Sequence, residues 1–203
     1  MMPVLIPAAG ASSRMRGADK LMMDIDGEPL LRRQVSMARA VSDDVRVALP
    51  SRPHPRYAAV RDLDVRTFEV SQAAEGISAS LRVLFASLEA DHTHAMVLLP
   101  DLPDLTKNDL GAVIVATRQY PKAMIWRGAT QSGKGGHPII AARLLFKDFQ
   151  CLTGDSGGNS VIKKLGQAVH FVPLDGNRAR QDLDTPEEWA AWRAGRAISD
   201  DPR

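Results

Sequence analysis

Met1-Met2-Pro3-Val4-Leu5-Ile6-Pro7-Ala8-Ala9-Gly10-Ala11-Ser12-Ser13-Arg14-Met15-Arg16-Gly17-Ala18-Asp19-Lys20 is the stretch around which the chain is organised. Val4, Leu5 and Ile6 form a short continuous apolar run, the pattern of a parallel strand buried on both faces, and the run ends in Ala, Gly and Ser. A loop of small residues lets backbone N–H groups approach an anion, and Arg14 and Lys20 place positive charge at either end of it. The guest that suits this chemistry is a polyphosphate. No Gly-Lys-Ser or Gly-Lys-Thr follows Gly10 at Walker spacing, and the loop lacks the Gly-x-Gly-x-x-Gly dinucleotide fingerprint.

Composition narrows the field. With 203 residues, 44% hydrophobic and 25% charged, the chain suits one globular α/β domain, expected over 1–194 with a polar tail over 195–203. Its 26 basic and 24 acidic residues leave a net charge of +2 without any block of cations, so neither nucleic acid nor a membrane surface is the expected partner. Cys151 is the only cysteine, which excludes an internal disulfide and reads as a small packed residue. No apolar run reaches the length of a signal core or a membrane span, so a cytoplasmic location is expected.

Working outward, 28–41 has helical spacing with Leu30, Leu31, Val35 and Ala38 on one stripe, and 45–49 and 65–70 read as strands around a Pro-rich turn. The rhythm is β-α-β, implying a parallel sheet with right-handed crossovers. A helix opens at Ala74-Glu75-Gly76-Ile77-Ser78-Ala79-Ser80-Leu81, where Ser78 or Ser80 serves equally as a cap. Residues 96–99 form a buried strand, and Asp101 falls just past its carboxyl end, where ligands of open α/β sheets gather. Asp104 is expected to begin the turn into a helix over 107–120.

The stretch 128–136 reads as a mobile flap leading into Gly136-His137-Pro138, with His137 equally a strand-edge histidine. Helices over 144–152 and 160–166 flank Thr153-Gly154-Asp155-Ser156-Gly157-Gly158, whose glycines also suit a plain turn. After a strand over 168–172, Thr185, Pro186 and Glu188 start a helix with a capping box. Asp182 and Asp184 share one face of the extended segment before it.

Ala8-Ala9-Gly10-x-Ser12-x-Arg14-Met15-x-x-x-x-Lys20, followed by Leu21 and Gly27-Glu28-Pro29-Leu30-Leu31, resembles the signature of the nucleotidyltransferases. Gly76-x-Ser78-x-Ser80-Leu81, the strand-Asp101-x-Pro103 context, Gly136-His137-Pro138, Gly154-Asp155-x-Gly157 and Asp182-x-Asp184-Thr185-Pro186 extend the resemblance to the molybdopterin-type members over nearly the whole chain. It implies a single-domain Rossmann-like α/β fold, a mostly parallel sheet with helices on both faces. The implied reaction is attack by an acceptor phosphate on the α-phosphate of a nucleoside triphosphate, expelling pyrophosphate.

The resemblance implies roles for individual residues. Ala8, Ala9, Gly10, Ser12, Ser13, Gly76, Ser78 and Ser80 would contact the nucleotide, and Arg14 and Lys20 its β- and γ-phosphates. Asp101 and Asp182, with Asp184 in reserve, would hold Mg2+. His137, Pro138, Gly154 and Asp155 would face a molybdopterin acceptor, and a molybdoenzyme or its chaperone would receive the product. The loop and the Gly76–Leu81 segment look like the cytidylyl-transferring branch, so CTP is the expected donor. The sequence departs from the branch at Arg16, where glycine is usual, and at Pro100, where a small residue is common; with Gly17 lengthening the loop by one residue, the acceptor or the phosphate register would differ. GTP or another triphosphate with a different phosphorylated acceptor is the alternative, and a non-catalytic cofactor carrier is a third reading.

Overall fold

The computed structural model describes residues 2–154 and 157–199. In chain order the elements are β1 (Val4–Pro7), β2 (Asp24–Ile25), β3 (Glu28–Pro29), α1 (Leu30–Arg39), β4 (Val45–Pro50), α2 (Arg56–Val60), β5 (Arg66–Val70), α3 (Ile77–Ala86), β6 (His94–Val97), α4 (Lys107–Gln119), β7 (Ile125–Ala129), β8 (Gly135–Ala142), α5 (Phe146–Gln150), α6 (Asn159–Ile162), β9 (Val169–Pro173) and α7 (Pro186–Ser199). Seven strands form one sheet in the order β5-β4-β1-β6-β8-β7-β9, and β2 and β3 make a separate two-stranded ribbon. All neighbours in the large sheet are parallel except at β8, which runs antiparallel to both β6 and β7.

The sheet is buried on both faces because β1 alternates between two cores. Val4 and Ile6 pack on one side with Leu31 and Val35 of α1, Leu110 and Val113 of α4 and Trp189 of α7. Leu5 packs on the other with Leu84 and Phe85 of α3 and Phe149 of α5. None of Val4, Leu5 and Ile6 is more than 1% exposed, and each such burial contributes about 2 kcal/mol. A period-two strand with every residue apolar has no other stable placement.

Thr185 and Glu188 form the expected reciprocal cap: Glu188 N donates to Thr185 Oγ1 at 3.2 Å and Thr185 N to Glu188 Oε2 at 3.0 Å. Asp104 lies in the expected turn before α4 and also accepts from Trp192 Nε1 at 2.9 Å, while the cap of that helix is Thr106, whose hydroxyl accepts from Asp109 N. Other expectations change. Glu28 and Pro29 belong to the small ribbon, which turns on Asp26 and Gly27, both with positive φ. The stretch 128–136 is a closed hairpin turn rather than a flap: Thr130 N donates to Lys134 O and Gly133 N to Thr130 O. α7 runs into the segment from 195 onward as far as Ser199, with Trp189 and Trp192 buried one turn apart. Cys151 is exposed, not packed, because α5 ends before it. Among the described residues no helix is long and apolar enough to cross a membrane.

Candidate active site

β1 delivers the chain into a loop that bends back on itself. Ser12 and Arg16 take left-handed backbone angles, φ 53° and 51°, and Gly17 follows at 95°. Asp19 closes the loop by accepting from Leu21 N at 3.0 Å, and Lys20 N donates to Ser12 Oγ at 3.3 Å. A buried residue from outside the loop, Arg56 at the start of α2, hydrogen-bonds Asp19, Ser12 and the carbonyl of Ala8. Sequence reasoning missed Arg56; the signal was an arginine beside Ala58, Ala59 and Val60, which resembles any amphipathic turn.

Lys20 reaches across the sheet to acids that follow two other segments. Its Nζ lies 2.5 Å from Asp101 Oδ2 and 2.7 Å from Asp184 Oδ1, and Arg14 Nη2 lies 2.7 Å from Asp184 Oδ2. Leu183 N donates to Asp101 O at 3.2 Å, which locks the two acidic segments in register. Gln34 Nε2 steadies the Asp101 segment further by donating to Leu102 O at 3.1 Å. One carboxylate oxygen from each of Asp101, Asp182 and Asp184 lies within 4.8 Å of the others.

The three acids are not equivalent. Partial desolvation of the carboxyl pushes Asp182 up, and the charges of Asp101 and Asp184 push it the same way. Burial also raises Asp184, but hydrogen bonds and charge from Lys20, with Arg14 beside it, outweigh that and hold it below the usual range. For Lys20, burial works against the ammonium, and the two aspartates more than compensate. Asp101 Oδ1 is buried and has no hydrogen-bond partner among the described residues.

Over this centre lies a cleft of about 350 Å3, bordered by the loop from Gly10 to Arg14, Lys20, Gly76, Ser80, Asp101 and Asp184. A smaller cavity of about 170 Å3 adjoins it, with Ile77 and Leu99 shared by both, and contains His137, Phe149, Gly158 and Asn159. The His137 ring is kept neutral: burial, with the Arg127 charge beside it, pushes its pKa down to about 4.

The structure therefore brings Gly10, Ser12, Ser13, Arg14, Lys20, Gly76, Ser80 and Asp101 to one cleft, and adds Asp184. Asp182 is in the acidic cluster but exposed, on the side of a groove beside Trp192. Ala8 and Ser78 are fully buried and border no part of the cleft. Ala9 lines a second cleft behind the loop. Pro138 is buried within β8 and Gly154 is exposed away from both cavities. Asp155 lies outside the described residues.

A loop at the carboxyl end of β1, facing one acid that follows the neighbouring β6 and others that follow β9, defines a domain of the nucleotidyltransferase type. In fold the chain is similar to a nucleotidyl transferase from Methanothermobacter thermautotroptrophicus, with TM-score 0.75 at 20% identity, covering 98% of this chain and 99% of that one. It is also similar to the Rv0371c protein of Mycobacterium tuberculosis H37Rv, with TM-score 0.79 at 23% identity over 94% and 96% of the two chains; a manganese complex of Rv0371c has also been solved. The chain belongs to the MobA-like NTP transferase domain family, whose description matches residues 4–169. A curated relative from Synechococcus elongatus, named a probable molybdenum cofactor guanylyltransferase, is 32% identical over 90% of this chain and 94% of its own.

Proposed function

We propose that the chain transfers a nucleoside monophosphate from a nucleoside triphosphate to the phosphate of a molybdopterin-type acceptor and releases pyrophosphate. The observation that carries this reading is Lys20, which joins the small-residue loop to Asp101 and Asp184 within one cleft. The family and the name of the Synechococcus relative support the acceptor class.

The donor set suits a hard divalent cation, since it consists of carboxylate oxygens alone and Asp101 Oδ1 is buried without a partner. Asp101 and Asp184 would hold it, with Asp182 completing the set. When bound, such a cation, Mg2+ in the reading made from the sequence, neutralises charge on the α-phosphate. The loop amides from Gly10 to Ser13, with Arg14 and Lys20, hold the β- and γ-phosphates and stabilise the departing pyrophosphate. Gly76 and Ser80 border the cleft on the side left for ribose and base. The acceptor enters past Ile77 and Leu99 toward His137, whose neutral ring can exchange hydrogen bonds without adding charge. A phosphate monoester is already ionised near neutral pH, so no side chain has to act as general base; positioning and charge balance supply the rate.

Two donors are supported by different observations. The resemblance of Pro7-Ala8-Ala9-Gly10 and Gly76-Ile77-Ser78-Ala79-Ser80-Leu81 to the cytidylyl branch supports CTP. The guanylyltransferase name of the curated relatives supports GTP. The experiment offers CTP, GTP and ATP separately with Mg2+ and molybdopterin, and reads pyrophosphate and dinucleotide by mass spectrometry. Product from CTP alone supports the first donor, and product from GTP alone replaces it with the second. Product from none, with triphosphate binding intact, removes the molybdopterin acceptor.

A further inference from the structure

We infer that Arg56 is the positioning residue of the first loop, presetting Lys20 and the amides of Gly10 to Ser13 for a triphosphate; the inference rests on the phosphate-cradle reading above. Its side chain is 2% exposed, and its side-chain hydrogen bonds end in that loop. Nε and Nη2 meet the two carboxylate oxygens of Asp19 at 2.8 and 2.6 Å, Nη1 meets Ala8 O at 2.7 Å, and Nη2 meets Ser12 Oγ at 3.2 Å. One guanidinium thus ties together the start, the apex and the end of the loop.

The loop needs such a tie because little packs against it. Gly10, Ala11, Ser12 and Ser13 border both the front cleft and a second cleft of about 510 Å3 behind, so the loop is a thin partition. Within it Ser12 and Arg16 hold left-handed backbone angles, which non-glycine residues keep only when their surroundings enforce them. Two of Arg56's partners act directly on Lys20. Ser12 Oγ accepts from Lys20 N, and Asp19 shapes the turn that carries Lys20 by accepting from Leu21 N. The hydrogen bonds and ion pairs of the Arg56 side chain go to Asp19, Ser12 and Ala8, whereas those of Lys20 Nζ and Arg14 go to Asp101 and Asp184, so Arg56 works through the loop. A lysine at 56 would keep the charge but not the planar fork that serves Asp19, Ser12 and Ala8 together.

The test compares wild type with Arg56→Lys and with the charge-balanced pair Arg56→Met/Asp19→Asn, which strands no buried charge. Steady-state kinetics are read beside amide hydrogen exchange across the chain. Both variants are expected to raise KM for the triphosphate about tenfold or more, with the acceptor KM unchanged, and to speed exchange over residues 10–21 only. Either of two results overturns the inference: KM and loop exchange within about twofold of wild type, or exchange that rises equally across the sheet in the charge-balanced pair, which would make Arg56 a core residue. If wild type binds no triphosphate, the proposed function falls, while loop-confined exchange in Arg56→Lys still decides whether Arg56 orders the loop.

Discussion

Lys20 Nζ sits 2.5 Å from Asp101 Oδ2, although five strands of sequence separate the two residues; the strands that lead to them, β1 and β6, are neighbours in the sheet. An ammonium at that distance neutralises a carboxylate that would otherwise repel Asp182 and Asp184.

It also competes with any divalent cation for the same oxygens. Replacing Lys20 with Met is therefore expected to tighten Mn2+ binding in the absence of nucleotide by about tenfold or more, because a like charge leaves the cluster. The same variant should bind the triphosphate more weakly. Mn2+ titration followed by electron paramagnetic resonance measures the first effect; unchanged or weaker Mn2+ affinity would refute the competition.

Asp184, not Asp182, lines the cleft and contacts both Lys20 and Arg14. Asp101→Asn and Asp184→Asn should each lower kcat by about 10²- to 10³-fold, and Asp182→Asn by less, since removal of a key charge-stabilising group has effects of that order. Turnover in saturating Mg2+ with folding checked by circular dichroism decides the ranking. A larger loss for Asp182→Asn would restore the order expected from the sequence.

His137 makes stability depend on acidity. Its pKa is pushed down to about 4 in the fold from the ordinary 6.5, so the unfolded chain takes up a proton first as pH falls. Stability contributed by keeping this ring neutral is fully present above pH 6.5, declines below it and levels off near pH 4, with a loss of up to about 3 kcal/mol. Burial lowers His94 in the same direction, so part of the decline belongs to it. Urea midpoints between pH 4 and 7 should fall more steeply for wild type than for His137→Gln; superimposable profiles would contradict this.

Gly136 has no room for a side chain. A Cβ there would lie 1.9 Å from Ala179 O, where the chain crosses β8 and His137 N donates to the same carbonyl at 2.7 Å. Gly136→Ala is expected to cost about 3 kcal/mol by displacing that crossing, in the range of overpacked sites. Thermal unfolding measures it, and a shift of less than about 2 °C would show that the crossing yields easily.

Much of the site was legible locally. The apolar run 4–6 with small residues after it specified a buried strand and an anion-approaching loop, because strand burial and loop sterics act over a few residues. Asp101 was legible for the same reason, as an acid just beyond an apolar strand. Thr185 and Glu188 announced their helix through a reciprocal cap that spans one turn.

What the amino-acid pattern left open were relations between distant segments. Continuous apolar runs do not reveal strand direction, so the reversal of β8 emerged only when β6 and β7 flanked it. Asp182 and Asp184 read alike along the chain, and the hydrogen bond from Leu183 to Asp101 O turns Asp184 toward Lys20. Arg56 looked like an ordinary helix residue, and burial against Asp19, Ser12 and Ala8 made it the loop's anchor. Short-range periodicity and capping chemistry are written in neighbouring residues, whereas charge pairing across the sheet exists only once packing has brought those residues together.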